Sequence, residues 1–167
     1  MTATDTYIVV DIGTGNVRVA AVSPEGQVLA VAREDIQYIK DPLYADALYF
    51  EPAQLWQQVT ALAAKVLARI DAATVRAVTA TSQREGIVLL SAGGRSLAGL
   101  PNIDHRGREW EEIITDKSRV YRLTGRYPTS LFSALKLVGI RERRHGLWQE
   151  CDTFLSISNW IEYQFSG

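Results

Sequence analysis

A short apolar strand, a glycine turn and a second strand, in immediate succession, constrain this chain more than any other feature. Tyr7-Ile8-Val9-Val10 is an apolar run, Asp11-Ile12-Gly13-Thr14-Gly15-Asn16 breaks it with two glycines, and Val17-Arg18-Val19-Ala20-Ala21-Val22 resumes it. Ser23-Pro24-Glu25-Gly26 then places Pro and Gly where a type I turn favours them. The alternation from Gln27 to Glu34 predicts a third strand. Glu34 and Asp35 lie at a distance from the glycines that suggests a dinucleotide-binding start. That arrangement needs a helix directly after the glycines, where this chain has a strand and Arg18. No Gly-x-x-x-x-Gly-Lys-Ser/Thr occurs, which excludes a Walker-type loop.

The turn carries the residue types of a phosphate site. Gly13 and Gly15 let a backbone come close to a ligand. Thr14 offers a hydroxyl and, with its neighbours, a run of backbone N–H groups that can surround phosphate oxygens. Asp11 puts a carboxylate where a hydrated Mg²⁺ on those phosphates would sit. An ordinary glycine hairpin explains the same residues, and the six-residue pattern alone leaves that reading ahead.

Further along, Gln37 to Phe50 is irregular, with Pro42 and three tyrosines, Tyr38, Tyr44 and Tyr49, and reads as a surface excursion. Pro52 suits the first turn of a helix. The stripe Leu55, Val59, Leu62, Val66 and Ile70 follows it. Val75 to Ala80 and Ile87 to Leu90 read as strands, the second turned by Ala92-Gly93-Gly94-Arg95. Gly107 to Gly125 reads as a charged helix and loop, and Ser133 to Ile140 as a second helical stripe. Arg141-Glu142-Arg143-Arg144-His145-Gly146 reads as cations at a helix end before a terminating Gly rather than as a nucleic-acid patch. Asn159 and Glu162 suggest a capping box, with Gly167 as the residue after the helix. The order of elements is α/β.

Two polar stretches are candidates for chemistry. Thr81-Ser82-Gln83-Arg84-Glu85-Gly86 groups polar residues at a strand end, where ligands of open α/β sheets gather. Arg84 and Glu85 together can donate to and accept from neighbouring hydroxyls, although a solvated turn would look the same. Pro101-Asn102-Ile103-Asp104-His105-Arg106 puts Asp104 and Arg106 on one face of an extended segment. Asp104 is the candidate there, Arg106 is as much structural as functional, and His105 is given no catalytic role. Cys151 has no metal-ligand neighbour and reads as packing.

The strand, Asp-x-Gly-Thr turn and second strand resemble the first phosphate loop of the actin, Hsp70 and hexokinase superfamily. Ser82-Gln83-Arg84-Glu85-Gly86-Ile87-Val88-Leu89 resembles the substrate loop of the FGGY carbohydrate kinases. Gly13-Thr14-Gly15, Asn102-Ile103-Asp104-His105-Arg106 and Ile157-Ser158-Asn159-Trp160 are similar to the autoinducer-2 kinase and xylulokinase type within that family. The resemblance runs over nearly the whole chain, from the glycine turn to Ser166-Gly167. It implies a ribonuclease H-like N-terminal domain, with a mixed sheet and flanking helices, over residues 1–167.

It also implies an ATP- and Mg²⁺-dependent kinase that phosphorylates a hydroxyl of a small sugar, polyol or autoinducer-2-like molecule. Asp11, Gly13, Thr14, Gly15 and Arg18 would serve the phosphates, with Asp11 reaching Mg²⁺ through water. Gln83, Arg84, Glu85 and Asp104 would hold the substrate. Where glycerol kinases carry a substrate-contacting Tyr before Phe-Ser-Ala-x-Lys-Leu, this chain has Leu131, which argues against glycerol. The family's general-base aspartate and its C-terminal nucleotide domain are expected beyond Gly167. The chain is therefore expected to be an N-terminal part that is inactive alone. A non-catalytic ligand-binding or regulatory module of the actin-like superfamily is the alternative, against which the Arg84-Glu85 pair argues.

The net charge of −1 offers no field for nucleic acid. No apolar run approaches the ~20 residues that span a bilayer. A single cysteine and a polar Met1–Thr6 without signal-peptide character suit the cytoplasm. A sugar or polyol is the expected partner, with neither nucleic acid nor membrane, and a homodimer of the longer protein is left open.

Overall fold

The computed structural model describes residues 5–167, so most of the polar N-terminal stretch lies outside the described residues. The elements begin with β1 (Thr6–Ile12), β2 (Asn16–Val22), β3 (Val28–Asp35), β4 (Ile39–Lys40), β5 (Leu48–Tyr49) and α1 (Pro52–Leu67). They continue with β6 (Val75–Ser82), β7 (Ile87–Leu90), β8 (Ser96–Leu100) and α2 (Lys117–Thr124). Last come α3 (Ser133–Arg143), α4 (His145–Glu150), β9 (Thr153–Ser156) and α5 (Ile157–Ser166). They form two compact units, one of residues up to 37, 51–83 and 155–167, the other of residues 38–50 and 84–154.

The first unit is built on a four-stranded sheet of order β3-β2-β1-β6, antiparallel through the β1–β3 meander and parallel between β1 and β6. Alternation decides its buried face. Ile8, Val10, Ile12, Val17, Val19 and Ala21 all point inward, while Tyr7 and Arg18 are exposed. Helix α1 packs on β2 and β3 through Leu55, Val59, Leu62 and Val66, and α5 packs on β6 and β1. Each such aliphatic side chain contributes about 1.5–3 kcal/mol when fully buried. Trp56 of α1 meets the rings of Trp160 and Phe165 edge-on, at centroid distances of 6.5 and 4.9 Å, so both helices cover one face. Ile70, counted above as part of the α1 stripe, lies past the helix end at Ala68.

Helix α5 starts earlier than the Asn159 cap predicts. The hydroxyl of Ser156, at the extended end of β9, accepts from the Asn159 N–H at 3.2 Å, so Ser156 is the cap. Gly167 follows the helix at φ 89°, as expected.

The second unit holds a three-stranded sheet of order β8-β7-β9 and the small β4–β5 hairpin, with α3 beneath it. Ile87, Leu89, Leu100 and Ile140 form its core, flanked by Tyr49, Leu97, Leu137, Leu147 and Cys151. The packing expected of Cys151 is found there. The stretch Gln37 to Phe50 is not the surface excursion its composition suggests, because Asp41, Tyr44, Ala47 and Phe50 are buried. Tyr44 donates to the Gly139 carbonyl at 2.7 Å and lies against the guanidiniums of Arg106 and Arg143. A second correction concerns Gly146, which does not end a helix. The break falls at Arg144, and α4 runs through Gly146. The arginines there are held in place: Arg144 by Asp41, Arg143 by Glu109 and the Leu43 carbonyl.

Candidate functional site

In the first unit the glycine turn joins β1 to β2 as a hairpin, with Ile12 opposite Val17, so no helix follows it. The Gly13 N–H donates to the Asn16 carbonyl at 2.9 Å and is spent inside the turn rather than offered outward. Neither Gly13 nor Gly15 takes a left-handed φ. A Cβ at Gly15 would meet nothing within 4 Å, so no contact of the chain itself calls for glycine there. Asp11 and Arg18 are cross-strand partners on the exposed face, with Arg18 Nη1 3.4 Å from Asp11 Oδ2. Such an exposed pair is worth little to stability and leaves both groups able to exchange partners.

Gln83 sits with this turn. Its N–H donates to the Ile12 carbonyl at 2.8 Å and its side-chain amide to the Gly13 carbonyl at 3.3 Å. The residue is buried, so its position is that of a brace for the turn.

The second unit carries Arg84 and Glu85. Among the described residues Glu85 is the sole non-glycine with a positive φ, at 64°. Left-handed backbone in such a residue costs on the order of 1–2 kcal/mol and persists only where its surroundings hold it. Those surroundings are specific. Arg126 donates to Glu85 Oε1, and the Ser133 N–H donates to Oε2 at 3.4 Å. The Glu85 carbonyl accepts from Ser133 Oγ at 3.2 Å and from Lys136 Nζ at 2.8 Å. Arg84 is exposed and makes no hydrogen bond or ion pair among the described residues.

Lys136 escaped the reading of the sequence. It is completely buried in the apolar stripe of α3, and its ammonium donates to the carbonyls of Glu85, Leu131 and Asn102 at 2.8, 2.8 and 3.4 Å. Burial pulls its pKa down to about 8, against the opposing pull of the Asp104 and Glu85 carboxylates. A lysine between Leu135 and Leu137 was the available signal.

Asp104 is also fully buried. Its Oδ2 accepts from Arg106 Nε at 2.7 Å and its Oδ1 from the Leu48 N–H at 3.0 Å. Arg106, buried as well, donates on to the Leu48 carbonyl at 3.0 Å and to Asp41 Oδ2 at 3.4 Å. Burial pushes the Asp104 carboxyl up, with the Arg106 guanidinium opposing it. The structure thus places Asp104 and Arg106 together in an interior ionic network. His105 Nδ1 shares a hydrogen bond of 2.8 Å with Ser130 Oγ.

Comparison with known proteins bears on this arrangement. The FGGY family of carbohydrate kinases, N-terminal domain, matches residues 6–167. The chain is 53% identical over 161 residues to YoaC of Bacillus subtilis (strain 168), a sugar kinase by name, covering 96% of this chain and 33% of that protein. It is 30% identical over 166 residues to the autoinducer-2 kinase of Salmonella typhimurium, covering 94% of this chain and 31% of that protein. It therefore spans about a third of the length of the curated relatives it matches. Among solved structures, the xylulose kinase of Lactobacillus acidophilus superposes with a TM-score of 0.83 at 15% identity, over 96% of this chain and 33% of that one. That likeness shows the fold, the mixed α/β ribonuclease H-like arrangement expected from the glycine turn. No described helix is long and apolar enough to cross a membrane.

Proposed function

Because this chain belongs to the FGGY family of carbohydrate kinases, as its N-terminal domain, we propose that it is the acceptor-binding part of an ATP-dependent kinase. The acceptor is a hydroxyl of a small sugar, polyol or autoinducer-2-like molecule. The observation that carries this reading is the Arg84-Glu85 pair: an exposed arginine followed in sequence by a glutamate whose left-handed backbone is held by Arg126, Ser133 and Lys136. A guanidinium donates only and a carboxylate accepts only, so together they orient vicinal hydroxyls. An incidental solvated turn would have no need of strained backbone.

The glycine turn accommodates a nucleotide's phosphates by its chemistry. The open space over Gly15 admits close approach, and the Arg18 guanidinium and Thr14 hydroxyl are donors. Among the described residues no three His, Cys, Asp or Glu side chains form a metal cage. Mg²⁺ is commonly held by one or two carboxylates with waters and phosphate oxygens, and Asp11 is the carboxylate at the turn. ATP with Mg²⁺ supplies the phosphoryl group, while this chain's residues bind and orient. Gln83 holds the turn by its bond to the Gly13 carbonyl, and Arg84 and Glu85 align the attacking hydroxyl. Asp104 serves the acceptor site from within its network with Arg106. Leu131, next to the bonds that hold Glu85, presents no hydroxyl and weighs against glycerol.

The test is ADP release by the full-length protein carrying this chain, assayed against pentoses, tetritols, glycerol and the autoinducer-2 precursor. Saturable release with at least one acceptor, and poorer use of glycerol, is expected. Acceptor-independent release, or none, overturns the proposal.

A further inference from the structure

A buried lysine bound only to carbonyls is an expensive way to fill space. An ammonium loses its hydration on burial, and each bond to a neutral carbonyl returns only part of that cost. A methionine would pack the same volume without it. Yet Lys136 is completely buried, and all three of its hydrogen-bond acceptors are backbone carbonyls drawn from three separate stretches of the second unit. Glu85 belongs to the polar turn before β7, Asn102 to the segment after β8, and Leu131 to the approach to α3.

We propose that Lys136 is a positioning residue for the acceptor loop: its ammonium clasps the carbonyls of Glu85, Leu131 and Asn102, and so holds Glu85 in its left-handed conformation with the carboxylate aimed. This rests on the kinase reading of Glu85. Two features single out the Glu85 carbonyl as the purpose of the clasp. It is the carbonyl of the one described non-glycine residue with positive φ, and its bond to Lys136 is among the shorter two at 2.8 Å. Ser133, one turn earlier on α3, binds the same carbonyl through Oγ and the same carboxylate through its N–H. Helix α3 therefore grips one residue of the turn at both its backbone and its side chain. Close packing ties the helix down in turn. A Cβ on Gly139 would stand 2.6 Å from the Arg106 carbonyl, so the helix sits backbone against backbone there and gives the clasp a fixed base.

The experiment compares the full-length protein with Lys136→Met, which keeps the length of the side chain and removes the ammonium. Two readouts are taken: steady-state kinetics, and amide hydrogen exchange at residues 84–86 and at Ser133, with β1 and β2 as internal reference. The clasp predicts acceptor KM raised about tenfold or more with ATP KM within about twofold. It also predicts exchange at Ser133 faster by about tenfold or more while β1 and β2 are unchanged. Equal rises in both KM values, or unchanged exchange at Ser133, overturn it. If the parent phosphorylates no acceptor, the kinase reading fails and exchange at Ser133 still decides the clasp. Should Lys136→Met not fold, the parent labelled at lysine nitrogen decides instead. Slowly exchanging ammonium protons on Lys136 at pH 6, with couplings across the hydrogen bonds to the Glu85 and Leu131 carbonyls, support the clasp. A freely exchanging ammonium overturns it.

Discussion

Replacing Asp104 with Ala separates the architecture of the second unit from its chemistry. The substitution removes a fully buried carboxylate that accepts from Arg106 Nε and the Leu48 N–H. It leaves Leu48 without that acceptor. It also leaves the Arg106 guanidinium, itself buried, with one long contact of 3.4 Å to Asp41 and one bond to the Leu48 carbonyl. Breaking a buried ion pair at one partner costs about 3–5 kcal/mol, because the remaining charge is uncompensated. The Asp41 contact is long and shared with Arg144, so little of that cost is recovered. Asp104→Asn keeps an acceptor for Leu48 and loses only the charge, so it should fall between parent and Asp104→Ala. Native-state amide exchange in β7 and β8 reads the opening free energy of this unit directly. The cost predicts exchange faster by roughly a hundred- to several thousand-fold in Asp104→Ala, since about 1.4 kcal/mol is tenfold. A change of less than tenfold would refute the reasoning and show the network to be loosely solvated.

Three further outcomes follow from the structure. Gly139→Ala gains about 1 kcal/mol of helix propensity but drives a Cβ to 2.6 Å from the Arg106 carbonyl, so Tm should fall; a rise would contradict the backbone contact. Ser156→Ala removes the α5 cap and should cost about 1 kcal/mol, measured as a shift in urea midpoint, whereas Asn159→Ala should not reproduce it through capping. For Lys136, a folded pKa of about 8 lies below the ordinary 10.5, so the unfolded chain binds more protons between those values. This residue therefore makes the fold more stable as pH rises from 8 to 10.5, by up to about 3 kcal/mol for 2.5 pH units. The parent's stability relative to Lys136→Met should climb across that window, and a flat difference would show that the ammonium is not desolvated.

Local patterns made the first unit legible. The strand–glycine–strand run, the Pro24-Gly26 turn and the α1 stripe are each decided by residues within a few positions of one another, and all three stand in the structure. The second unit depends on partners far apart in the chain. Tyr44 is buried because Gly139, Arg106 and Arg143 surround it, and nothing near Tyr44 announces that. The spacing of Asp104 and Arg106 puts them on one face, but the partners that complete their buried network, Asp41 and Leu48, are distant in sequence. The Arg84-Glu85 pair could be picked out by residue type, whereas the left-handed φ of Glu85 could not, since its supports lie on α3. Lys136 is a visible exception to an apolar stripe, but the carbonyls of Glu85 and Asn102 that its ammonium meets lie far away in the chain. Helix boundaries moved for a similar reason. Ser156 caps α5 because β9 ends in an extended conformation there, which Asn159 and Glu162 do not reveal.

The central claim is that Arg84 and Glu85 hold the acceptor of a carbohydrate kinase. Acceptor kinetics of the full-length protein against its Arg84→Ala and Glu85→Ala variants test it most directly. The account predicts that kcat/KM for every accepted sugar or polyol falls in both variants. Binding should weaken by about 1–3 kcal/mol where a buried hydroxyl loses its partner, with ATP KM unchanged. Unchanged affinity and turnover for every accepted acceptor in both variants would contradict the claim and leave the pair a solvated turn.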